Sequence, residues 1–157
     1  MRSQNQVLEL FNKIPEYFLK VEGCLPSSQT VHDAIAGRPC RTIESYYKEF
    51  LLVKKEGETI GGVELHADHP EPYMAYIGLL LIREDLHGRK LGKECYRAVE
   101  DHILRRFNCR RIRLGVSDEI DVSGFWSKMG FSANGHSYSW MGEKKVTNVV
   151  EYEKVLK

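Results

Sequence analysis

The segment from Tyr73 to Ile82, YMAYIGLLLI, carries no charge, and the chain then passes through two glycines into a helical pattern. Spanning a bilayer takes about 20 apolar residues as a helix, so this run is too short and reads as a strand buried on both faces. Gly78 interrupts it, where a glycine marks a bulge or the close approach of another backbone. Downstream, Leu91, Cys95, Val99 and Ile103 recur every four residues, one face of a helix. Between the two lies His87-Gly88-Arg89-Lys90-Leu91-Gly92. Two glycines let the main chain turn tightly, so several N–H groups face one concavity at a helix start, where the dipole favours a phosphate. Arg89, Lys90 and Lys93 add positive charge there. A solvated basic turn is the plainer reading of the same residues. The segment fits neither G-x-x-x-x-G-K-[ST] nor G-x-G-x-x-G, which leaves a pyrophosphate cradle of another kind.

With 157 residues the chain reads as one domain, 1–157, large enough for a core without staples. Its 23 basic and 22 acidic residues nearly cancel, which argues against nonspecific binding to nucleic acid or to an anionic membrane. A nucleic-acid-binding reading finds only the Arg105-Arg106 and Arg110-Arg111 cluster in its support, and that patch suits the end of a helix. No signal-peptide pattern is present, so a cytoplasmic protein is expected. Cys24, Cys40, Cys95 and Cys109 show no C-x-x-C pair or metal-ligand spacing, so reduced thiols and no metal are expected.

Val7, Leu8, Leu10, Phe11 and Ile14 predict a first helix, and Pro15 starts a second. A short helix is expected around Thr30 to Ala36, ended by Gly37 and Pro39. Glu49 to Lys54 and Thr59 to His66 read as a hairpin turning at Glu56-Gly57-Glu58. Asp68 to Pro72 leads into the apolar strand. Arg110 to Val116 alternates as a half-exposed strand. Val122 to Met129 reads as a short helix stopped by Gly130. Ser137 to Trp140 and Val146 to Leu156 give the last two strands.

The strand, acidic link, glycine loop and long helix resemble the acyl-CoA-binding motif of the GNAT superfamily. That motif, Q/R-x-x-G-x-G/A, aligns with His87 to Gly92; Gly92 matches, whereas His87 and Lys90 replace the usual residues. Val122 to Phe131 resembles the same family's A-x-x-L/F-Y-x-K-x-G-F, with Phe125, Lys128, Gly130 and Phe131 in place. The phrase IPEYFLKVEG is similar to one branch of the family. The strand that usually opens the fold has only about six residues available to it before the first helix.

The resemblance implies an α/β (α+β) fold. Its mostly antiparallel mixed sheet of about six strands is flanked by helices and splayed at the acyl-CoA-binding strand. It implies direct transfer of acetyl from acetyl-CoA to a primary amine of a small molecule or protein, with no metal. Leu80, Leu81 and Ile82 would face pantetheine, and the Leu80 N–H would polarise the acyl carbonyl. His87, Gly88, Arg89, Lys90, Leu91, Gly92 and Lys93 would hold the pyrophosphate. Many relatives carry a carboxylate base where this chain has Tyr76, and a tyrosine of pKa about 10 is a poor base at neutral pH. Glu64 and His66 share a face of the preceding strand, so either serves through water. Trp126 stands where the family often has a tyrosine acid. Indole cannot deliver a proton, so Trp126 lines the CoA channel or only packs. A homodimer is an expectation of the resemblance alone. The rival reading is a catalytically idle acyl-CoA-binding sensor or partner-binding module.

Overall fold

Val7, Leu10, Phe11 and Ile14 are all buried and form the inner face of helix α1 (Arg2–Asn12) and the turn after it. The computed structural model describes residues 2–156, and α1 is its first element, with no strand ahead of it among the described residues. Pro15 then opens α2 (Pro15–Val21) at a position whose N–H has no helical partner anyway. Ser27 caps α3 (Ser28–Ala36) by accepting from Thr30 N–H, while the Thr30 hydroxyl accepts from Ser27 N–H.

Two long strands follow, β1 (Tyr47–Lys55) and β2 (Glu58–Ala67), and then β3 (Met74–Ile82), the apolar run. A 3₁₀ turn at Glu84–Leu86 leads to α4 (Leu91–Arg106), β4 (Arg111–Ser117), α5 (Ser123–Lys128), β5 (Ser132–Met141) and β6 (Val146–Val155). The six strands form one mixed sheet in the order β1-β2-β3-β4-β6-β5, in which β3 and β4 are parallel and the other pairs antiparallel. The core divides between the sheet faces. Leu65, Ile77, Ile112 and Leu114 pack against Tyr96 and Ile103 of α4, whereas α1 to α3 close over Leu81 on another cluster.

One departure from regularity shapes the candidate site. β3 and β4 pair only from Met74↔Arg111 to Ile77↔Leu114, and beyond those residues the strands separate. Gly78 marks the parting: Glu64 is opposite Leu79 and Leu65 opposite Ile77, so Gly78 is the extra residue of a bulge. Arg83 N–H donates to Ile60 O at 2.9 Å. The alternation of an antiparallel ladder therefore turns the N–H and C=O groups of Leu80 and Ile82 the other way, into the gap.

The strand is not buried on both faces, as its composition suggests. Gly78 is exposed and Leu79 and Leu80 are partly so, because the splay removes their lateral neighbour and opens cavities on both sides. Tyr73 lies outside it, with φ 64°, half-exposed beneath the Arg110 guanidinium at 4.8 Å. β5 is longer than Ser137 to Trp140, running from Ser132 and irregular between Ala133 and Ser137.

Candidate active site

The gap between β3 and β4 is the meeting point of two cavities. The first, about 480 Å³, is lined by β3 from Ile77 to Ile82, by β4 from Leu114 to Ser117, and by Gly92, Phe125 and Trp126. At its mouth Gly88 has φ 83°, and Lys90 takes the left-handed conformation (φ 60°, ψ 19°) as the residue before α4. A glycine adopts that conformation freely, whereas a residue with a Cβ gives up roughly 1–2 kcal/mol. No side chain caps α4, so its first N–H groups remain available to an anion. Arg89, Lys90 and Lys93 are exposed there, and none joins an ion pair among the described residues. Glu84 and Asp85 stay apart from them: Asp85 is clamped by Arg83, and Glu84 accepts from the Glu16 N–H. His87 donates from Nε2 to Ile82 O at 2.9 Å, tying the loop to the end of β3.

Trp126 is buried in a ring cluster. It meets Tyr96 at 5.7 Å, Phe131 at 5.2 Å and Phe125 at 4.9 Å, all edge-on, and also lines the first cavity.

The second cavity, about 810 Å³, opens on the other side of the gap, and Gly78, Leu79, Gly115 and Ser117 line both. Glu64, His66 and Tyr76 all face it. The carboxylate of Glu64 lies over Gly78: a side chain built there would stand 2.9 Å from both Cδ and Oε1 of Glu64. Oε1 is held twice, by Lys48 Nζ at 3.2 Å and by His66 Nε2 at 2.8 Å. His66 Nδ1 in turn meets the Tyr46 hydroxyl at 2.8 Å. Lys48 is buried and also donates to Asp33 O at 2.9 Å and Gly37 O at 2.5 Å, fastening the end of α3 to the same point. Glu64 and His66, rivals in the sequence, are thus one hydrogen-bonded unit.

Tyr76 reaches Tyr138 with its hydroxyl, 3.1 Å away, above Gly115, where a Cβ would stand 2.9 Å from the Tyr138 hydroxyl and 3.3 Å from that of Tyr76. Burial, reinforced by the Tyr138 hydroxyl, raises the Tyr76 pKa above the ordinary tyrosine value. Tyr76 therefore stays protonated and is a hydrogen-bonding group, not a base. The cysteines stand apart from this chemistry: burial pushes the Cys95 thiol up to about 11.

Tyr46, Lys48 and Tyr138 were not identifiable from sequence. Lys48 alternates with Phe50 and Leu52 on β1, a pattern that places a lysine on an inner face, and that was the one available signal.

The mixed sheet is thus splayed, with an uncapped glycine-turn helix at one mouth of the gap and a carboxylate at the other. The model of the acetyltransferase (GNAT) family matches residues 10–131, and the chain belongs to that family. No curated protein matches. Among solved structures, an acetyltransferase from Thermus thermophilus is 22% identical, with a TM-score of 0.72 over 99% of this chain and 92% of that one. A ribosomal-protein-alanine N-acetyltransferase from Brucella melitensis is 14% identical, with a TM-score of 0.69 over 99% and 95%. An acetyltransferase from Bacillus cereus is 22% identical, with a TM-score of 0.56 over 72% and 76%. At these identities the likeness establishes the fold.

Proposed function

We propose that the protein transfers acetyl from acetyl-CoA directly to a primary amine. The observation that carries this reading is the parting of β3 from β4, which joins an anion-binding mouth to a carboxylate-bearing pocket through one gap. Free N–H groups from Gly88 to Lys93 suit a pyrophosphate, with Arg89, Lys90 and Lys93 beside it. Leu80, Leu81 and Ile82 would run alongside pantetheine, and the Leu80 N–H would stabilise charge on the acyl oxygen. Glu64, held by Lys48 and His66, would take the amine's proton, and Tyr76 would orient the amine or a water. The C–S bond breaks as C–N forms, and the thiol leaves with a proton supplied by solvent or by the pocket's hydroxyls.

Thiol release from acetyl-CoA against a panel of amines tests this directly, with calorimetry of acetyl-CoA binding beside it. Binding without release for any amine would favour an idle binding module. Two smaller effects are expected. In Gly92→Val the new side chain crowds the phosphate turn, and a Cβ at 92 already stands 3.2 Å from the Phe125 ring. Acetyl-CoA affinity should fall about tenfold, some 1.4 kcal/mol, and unchanged affinity in a folded variant would move the site elsewhere. Trp126→Phe should keep most of the turnover, because loss of a true proton donor costs a factor of about 10² to 10⁴. A drop of that size with normal affinity would give Trp126 a chemical role.

A further inference from the structure

The second cavity has two walls, and they meet at one end. Tyr17, Glu22 and Asp33 belong to the helical wall, Tyr138, Trp140 and Glu143 to the C-terminal hairpin. At the joint Lys144 N–H donates to Glu22 O at 2.8 Å, and Glu143 N–H donates to Glu22 Oε2 at 2.8 Å. A side chain at Gly142 would stand 2.7 Å from Val21 O, and one at Gly23 2.8 Å from Cβ of Lys145. Backbone packs on backbone there, so an extended chain lying on the sheet between the walls has no exit at this end.

The lining between the walls also has a sign. Glu22, Asp33, Glu64 and Glu143 line it against the single guanidinium of Arg38, which lies over the Tyr46 ring at 4.9 Å. Lys48 offsets Glu64 alone, Lys145 is paired with Glu119, and Lys144 does not line the cavity. Between the Glu64 end and the joint stand the rings of Tyr17, Tyr138 and Trp140.

Resting on the acyl-transfer reading above, we propose that the acceptor is a small amine carrying a second positive charge, held between these walls, and not the end or side chain of a polypeptide. The reacting nitrogen meets Glu64 at the gap, where its proton is lost, the acyl C–S bond breaks and the C–N bond forms. The second cation points toward Glu22 and Glu143, and the body of the molecule lies along aromatic faces that favour a cation or an apolar chain. The closed joint sets the size, and the carboxylates set the charge.

The test is thiol release with α,ω-diamines of three to ten carbons, n-alkyl monoamines of the same lengths, and a tetrapeptide with a free N-terminus. A diamine of one favoured length should exceed its monoamine in kcat/KM by tenfold or more, and the tetrapeptide should release no thiol. Glu143→Gln should erase the diamine's advantage, chiefly through KM, and added salt should narrow it in the native protein. Diamines no better than monoamines at every length, or a preferred peptide, would overturn the proposal while leaving acyl transfer intact. If no amine releases thiol, acyl transfer fails instead, and calorimetry of the diamines with CoA-loaded protein decides this point. Binding that Glu143→Gln abolishes would uphold it, and absence of binding would sink it.

Discussion

Glu64→Gln is expected to lower turnover about 10²-fold at neutral pH, roughly 2.7 kcal/mol of transition-state stabilisation. The side chain sits over Gly78 at the parting of the strands, with one oxygen already held by Lys48 and His66. Glutamine preserves the volume but cannot accept the amine's proton. Activity should recover as pH rises, because more of the acceptor is then neutral before it binds. Tyr76→Phe should lower the rate without that recovery, since burial keeps Tyr76 protonated and its loss removes orientation only. The two effects act on one amine and should not add. The Glu64→Gln variant also leaves the buried Lys48 ammonium without its counter-charge, among neutral acceptors that include the carbonyls of Asp33 and Gly37, so its unfolding midpoint should fall as well. Full pH–rate profiles separate chemistry from stability: a profile identical to the native one would remove Glu64 as the base and leave His66 or solvent.

Gly78→Val should cost a similar factor for a different reason. A Cβ at this position stands 2.9 Å from the Glu64 carboxylate, and both cavities meet beside it. The valine must push the carboxylate away or fill the gap, and displacement by about 1 Å at a reacting centre costs about 10²-fold. Acetyl-CoA binding, proposed at the remote glycine turn, should weaken far less than turnover. Measured side by side, equal losses in affinity and rate would place Gly78 in cofactor binding alone, and near-native turnover would show that the reaction does not cross this gap.

The family span ends at Phe131, and β5, the turn after it and β6 lie beyond it. Tyr138, Trp140 and Glu143 belong to β5 and the turn after it, and they make one wall of the second cavity. Their register depends on β6, whose partner β4 is remote in sequence. Nothing in a local pattern announces that Tyr138 crosses Gly115 to meet Tyr76.

What the sequence determined by itself was local. Helical spacing in α1 and α4, the proline that opens α2, the hairpin turn at Glu56-Gly57 and the glycine turn before α4 each follow from residues within a few positions of one another. The bulge at Gly78 belongs with them, because a glycine inside an apolar strand already signals it. The tertiary structure decided everything that needed two strands at once. Apolar residues in β3 cannot tell that β4 leaves after Leu114, so burial on both faces was the natural expectation and an open gap the result. Glu64 and His66, two residues apart, were legible as neighbours on one face. The hydrogen-bonded unit they form is completed by Tyr46 and Lys48, brought in from β1 and the chain just before it. Buried polar groups must find partners, and in a sheet those partners come from whichever strand is adjacent in space, a choice that topology makes and sequence spacing does not record.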